Sequence, residues 1–419
     1  MTSLFNEIRF AAKDRTLCLW MVIVISLSTV ALGFGLAEVQ SQNATIAALI
    51  ESDREDRLAE SAKLKDWGSA AYYNFHLTYD EPSTLAFMAL GGRDIHPWKH
   101  RIRMLALEGQ IYERDVGNPS VALIGRFDFS FLASFVLPLV LIIVLYDLRA
   151  GEQRAGRFNL LEATAIRPVV LWGLRVWVRA TAVFLCLIIP LFVGGLVAGA
   201  SLTSLLTVAA VVFLYSAFWS FLCFKLSAWR QSAPIILMAL TAIWLLTAVA
   251  IPAAARLAVD RLVPIPDGAD ILMLQRESVN DAWDLPREAT MDKFFQRYPE
   301  YVSYEPVSSS FEWQWYYAFQ QVGDQEAESL SKAYRQGRVQ RDNIAAWLSL
   351  LAPPSLLERT LQSLAGTDMK ASNTYEQQVR DYHAQLRAFY YPKFFFHETF
   401  DKNSLQKLPV FGGSPLGLD

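Results

Sequence analysis

The chain alternates between long apolar runs and polar stretches of helical period. The first run, residues 17–36 (LCLWMVIVISLSTVALGFGL), carries no charge over 20 residues. At about 1.5 Å per residue, a helix of that length crosses a hydrocarbon core of ~30 Å. A cleaved signal sequence would have an apolar region of about 7–15 residues and a small-residue cleavage site. This run is longer, and it passes directly into VQSQNATIAALIESDREDRLAE. An uncleaved span is therefore expected. Four further spans are expected near 129–146, 176–199, 205–226 and 235–255. Arg175 and Arg179 stand at the start of the third, where long side chains can snorkel to the interface. Pro190 and the pair Gly194–Gly195 interrupt its far half, which neighbouring helices can accommodate.

Residues 1–16 place Leu4, Phe5, Ile8, Ala11 and Ala12 at helical spacing between Arg9 and Lys13. That pattern predicts an amphipathic helix on the membrane interface. The chain then divides into the span at 17–36, a polar domain over 37–125, the second span within 127–147, a charged segment over 148–168, spans three to five over 169–257, and a second polar domain over 258–419. Both polar domains read as mostly helical. In the first, PWKHRIRMLALEGQIYERD predicts a helix starting at Pro97. No alternation of period two is long enough to force a sheet. The fold class is mainly α: a polytopic helical membrane bundle carrying two mostly helical extracytoplasmic domains.

Composition sharpens this picture. Hydrophobic residues make up 53% of the 419 and charged residues 19%, against about 45–50% and roughly 25% in an ordinary soluble domain. A disordered chain, a secreted disulfide scaffold and a single soluble enzyme domain are excluded. The formal net charge of −3 gives no bulk basic field for nucleic acid. Cys18, Cys186 and Cys223 all fall in apolar runs and read as small packing residues. Basic residues set the orientation. Arg9, Lys13 and Arg15, then Arg149, Arg154, Arg157 and Arg167, then Lys225 and Arg230 all fall on one side of a five-span chain. That side is expected to be the cytoplasm, which places both polar domains outside.

Catalytic signatures are missing. The sequence has no phosphate-binding Gly-x-x-x-x-Gly-Lys-Ser/Thr loop, no Gly-x-Ser-x-Gly elbow and no His-Glu-x-x-His helix. No enzyme activity, catalytic residue or cofactor is expected of this chain. His96 and His100, four apart, have a spacing that can hold a metal. They lack an acidic or cysteine co-ligand nearby and read as a solvated helix end, with a metal site as the weaker alternative. Aromatics are dense at Trp313–Phe319 and Phe389–Phe396. They read as helical core and interface packing, with a ligand groove as the alternative. The segment Asp147-Leu-Arg-Ala-Gly151-Glu152-Gln-Arg-Ala-Gly156-Arg157-Phe-Asn-Leu160-Leu161 lies between two spans. It predicts a short helix able to dock in a partner's groove, or else a basic inner loop with no partner.

The pattern Gly151-Glu152…Gly156-Arg157…Leu160-Leu161…Arg167 resembles type-2 ABC transporter permeases. LALEGQIYE, GNPSVALIGRFDFSF, VNDAWDLP, WYYAFQQVGD, LAGTD and YYPKFFF resemble a subfamily with two large extracytoplasmic inserts, often labelled with multicopper-enzyme maturation. The resemblance implies that Gly151, Glu152, Gly156, Arg157, Leu160, Leu161 and Arg167 belong to a segment contacting an ATPase. It implies two copies of an ABC ATPase subunit holding ATP and Mg, a second permease copy or a related permease, a lipid environment, and export of a substrate it does not name. Such permeases have six spans, so a sixth is expected after Asp419, with Asp419 near the outer membrane surface. A force-transmitting assembly factor without solute flux is the alternative function, and a membrane receptor or scaffold a third.

Overall fold

A computed structural model describes residues 2–94, 97–112, 127–165, 167–229, 231–302 and 311–412. The expected position of Asp419 lies outside the described residues. The described chain is mainly helical, and five helices are long and apolar enough to cross a membrane. Helix α1 (Thr2–Ala11) leads into α2 (Arg15–Lys63). Asp14 caps α2 by accepting from the Thr16 and Leu17 amides, which satisfies donors left open at a helix start. The first span and the polar stretch after it form one unbroken helix of 49 residues. The other spans are α5 (129–145), α8 (Pro168–Val197), α9 (Leu202–Leu226) and α10 (Ala233–Leu262). α5 and α10 each contain one π turn, at Leu132–Val136 and Leu246–Ala250. Pro190 sits inside α8 without ending it. In the preceding turn, Ser28 of α2 donates to the Leu187 carbonyl at 3.0 Å.

The bundle core joins Val24 and Leu32 of α2, Leu141 of α5, Leu187 of α8 and Trp219 of α9. At the end of the bundle away from the N-terminus, residues 85–90 lie across α2 and α8. A Cβ on Gly35 would stand 1.8 Å from the Phe87 carbonyl oxygen, so only glycine allows that approach.

The polar segments hold α3 (Trp67–Tyr73), β1 (His76–Tyr79), β2 (Lys99–Ile102) and α4 (Leu107–Tyr112) between α2 and α5. After α10 come α11 (Gly268–Asp284), α12 (Arg287–Arg297), α13 (Trp313–Ser349), α14 (Pro353–Ala365) and α15 (Met369–Phe395). The two segments share one core, in which Trp67, Ile102 and Leu107 meet Phe294, Tyr317 and Phe394. The dense aromatics belong to that core. Tyr317 stacks on Phe394 with ring centroids 4.7 Å apart, and Phe294 on Phe395 at 4.9 Å.

One expectation fails here. The helix expected from Pro97 is instead strand β2, paired antiparallel with β1 in the register His76 to Ile102. Lys99 and Arg101 are exposed while Ile102 is buried, a period-two pattern too short to register in the sequence. The helix begins only at Leu107.

α14 closes the bundle at its polar-domain end, packing against α9 and both π turns. Burial, with Asp128 nearby, lifts the Glu358 carboxyl from 4.5 to about 7. The folded state thus holds this proton more tightly than the unfolded chain. Its stabilising effect is complete below about pH 4.5 and is lost as pH rises through 7. Between about pH 4.5 and 7, the melting temperature should fall more steeply for the wild type than for Glu358→Gln. Parallel slopes would exclude Glu358 as the source.

Candidate docking site at the N-terminal end of the bundle

The segment between α5 and α8 folds into two short helices, α6 (Ala150–Arg154) and α7 (Phe158–Thr164). Gly151 lies one turn after Asp147, and a Cβ there would come within 3.1 Å of the Asp147 carboxylate. That carboxylate accepts from Arg154 at 2.6 Å. The chain reverses at Gly156, whose φ of +71° is a left-handed helix-ending conformation that favours glycine. The Arg157 amide then closes back onto the Glu152 carbonyl at 3.0 Å.

Glu152 anchors the segment. It is buried, accepting from Arg157 Nε at 2.8 Å and from Arg175 Nη1 at 3.1 Å. Arg175 also donates to Glu7 of α1 at 3.2 Å, and Arg179 to the cap residue Asp14 at 2.9 Å. The guanidinium of Arg175 lies over the rings of Phe10 and Trp172, where cation–π attraction adds to the ion pairs. Phe158, at the start of α7, stacks on Trp172 with centroids 5.7 Å apart. α1, the α6–α7 hairpin and the start of α8 are thus tied into one polar knot.

The knot corrects the snorkelling expectation for Arg175 and Arg179. Both are buried and paired, because Glu7 of α1 and Glu152 of α6 meet Arg175, and Asp14 at the cap of α2 meets Arg179. It also adds residues that sequence reasoning passed over, namely Glu7, Asp14 and Trp172. The available signal was a pair of arginines one helical turn apart at the head of an apolar helix.

The other face of α7 is open. None of its residues is buried, and Leu160 is 65% exposed. Leu161 is half-buried beside it. Arg167 is exposed and extended just before Pro168 starts α8, and it stands apart from the Glu152 knot. Of the seven segment residues, Glu152 and Arg157 are drawn together, Gly151 and Gly156 shape the turns, and Leu160 faces outward.

The metal candidate does not assemble. His96 lies outside the described residues. His100 sits on β2, its Nδ1 3.0 Å from the Tyr375 hydroxyl, and burial lowers its pKa to about 4. Among the described residues no group of three or more potential ligands converges.

Residues 270–412, from α11 to the end of the described chain, match a family described as a domain of unknown function, DUF3526. No curated protein and no solved structure matches the chain. The chain is a multi-pass membrane protein, and its larger polar segment matches the DUF3526 domain.

Proposed function

We propose that this chain is the membrane subunit of an ATP-driven exporter of the type-2 ABC class. Two copies of a separate ATPase subunit would bind ATP and Mg and dock on α6–α7. A second copy of this chain, or a related permease, would complete the pathway. The N-terminus and α6–α7 would face the cytoplasm from the inner membrane, with the polar domain outside. The observation that carries this reading is the build of α7: a short helix presenting Leu160, held to the bundle through the buried Glu152–Arg175 pair. Such a lug suits transmission of a rigid-body movement from a partner to the spans.

The test is the purified complex. Leu160→Asp combined with Leu161→Asp places carboxylates in the groove without touching the knot. Burying an unpaired charge costs about 3–5 kcal/mol, or roughly 10² to 4 × 10³ in affinity. ATPase subunits should be lost on purification and ATPase stimulation should fall to baseline, while the variant chain remains in the membrane. Unchanged stimulation would remove α7 from the interface.

A second reading is an assembly factor that moves its outer domain with no solute crossing. It is favoured by the single core that unites both polar segments into one body seated on the bundle. Flux in reconstituted vesicles separates the two.

A further inference from the structure

A cavity of about 480 Å³ lies where the far end of α10 meets α13 and the start of α14. Small-molecule sites span about 300–1,000 Å³. Its walls are mostly apolar, with Pro252, Ala255 and Leu348 among them. Its charged lining is unbalanced: Arg256, Arg338, Arg341 and Arg359 against Asp260 and Asp342. Three of the arginines are held in place. Arg341 pairs with Asp260 at 2.9 Å, Arg359 with Asp342 at 2.8 Å, and Arg338 with Glu376 at 2.7 Å. A guanidinium has five N–H donors, so each pair leaves donors over. Arg256 is exposed and forms no ion pair among the described residues.

The cavity stands at the edge of the membrane. α10 starts at Ala233. A hydrocarbon core of ~30 Å is crossed in about 20 residues, which puts Pro252, Ala255 and Arg256 at the level where acyl chains give way to headgroups. The corner between α13 and α14 points the same way. Trp347, Leu350 and Leu351 are 75%, 56% and 64% exposed there, although α14 itself is packed on the spans. Such a cluster of apolar side chains with a tryptophan is suited to the membrane interface. An apolar chamber beside that interface, with surplus guanidinium at headgroup height, matches one chemistry: an acyl chain ending in an anion.

We propose that this cavity binds an acidic membrane lipid drawn from the adjoining leaflet, its chain against Pro252, Ala255 and Leu348 and its anionic headgroup on Arg256, Arg341 and Arg359. The pocket stands whether or not an ATPase docks at the opposite end of the bundle.

The test uses the full chain, delipidated in neutral detergent and offered phosphatidylglycerol or phosphatidylcholine, with bound lipid counted by native mass spectrometry. Wild type should retain phosphatidylglycerol over phosphatidylcholine by roughly tenfold. Arg256→Ala, at an exposed position, should melt like wild type and bring the two lipids close to parity. Ala345→Trp, which fills the chamber, should abolish retention of both. Equal retention of the two lipids by wild type would overturn the proposal, as would undiminished preference in Arg256→Ala. Displacement by millimolar inorganic phosphate would show a site for a free anion and overturn it too. A change of oligomeric state in Ala345→Trp with lipid retention intact would make the chamber a protein interface instead.

Discussion

Replacing Asp324 with alanine is expected to destabilise the polar domain by about 3–5 kcal/mol, the largest effect of any single substitution considered. Asp324 is buried on α13, and its two oxygens accept from the Leu107 and Glu108 amides at 2.9 and 3.1 Å. Those amides open α4, so a residue from the second polar segment caps a helix of the first. The same carboxylate pairs with Arg387 of α15. Burial pushes the Asp324 carboxyl up, and Arg387 opposes this. Alanine leaves a guanidinium and two amides without their acceptor in one place. Asp324→Asn keeps one acceptor oxygen and should lie between wild type and alanine. The measurement is protease protection of the polar domain against temperature. A wild-type protection curve for Asp324→Ala would show that the two segments hold together without this clamp.

Glu152→Ala is the second large effect, and it should separate from Leu160→Asp in its readout. Loss of Glu152 removes charged hydrogen bonds from Arg157 and Arg175, while Arg175 keeps Glu7. The expected cost is about 1.5–3 kcal/mol, roughly a ten- to hundredfold rise in opening of the α6–α7 hairpin. Amide hydrogen exchange across 147–165 should accelerate to that extent, and ATPase stimulation should fall with it. In the Leu160 variant stimulation should fall with exchange unchanged. Slow exchange in Glu152→Ala would mean that Asp147, Phe158 and Trp172 suffice to hold the hairpin.

The spans were legible because burial in lipid demands an uninterrupted apolar run, and the 20 uncharged residues of 17–36 exceed the apolar region of a signal sequence. The continuity of α2 was less so, since the run ends at Leu36 while the helix ends at Lys63. Nothing in the sequence marks the union of the two polar segments. The ion pair from Arg380 to Glu108 closes over 272 residues, and local periodicity carries no information at that separation. β2 escaped notice because four residues hold only two repeats of a period-two pattern. At the candidate docking site the motif residues were visible, but the second partner of Arg175 was not. Glu7 lies 168 residues away in a helix whose apolar face drew attention first.

The unbroken path of α2 has a mechanical consequence. Its 49 residues make a rod of about 74 Å, of which only ~30 Å sits in hydrocarbon. Gly33 and Gly35 stand near the membrane exit without breaking the helix, so tilting its N-terminal end pivots the whole rod. Each degree of tilt then carries its far tip by about 1.3 Å for a rod of that length. A few degrees of rocking within the bilayer would sweep the tip through several ångströms. α2 therefore has the geometry of a lever arm, and its stiffness sets how much of any tilt would reach the polar domain.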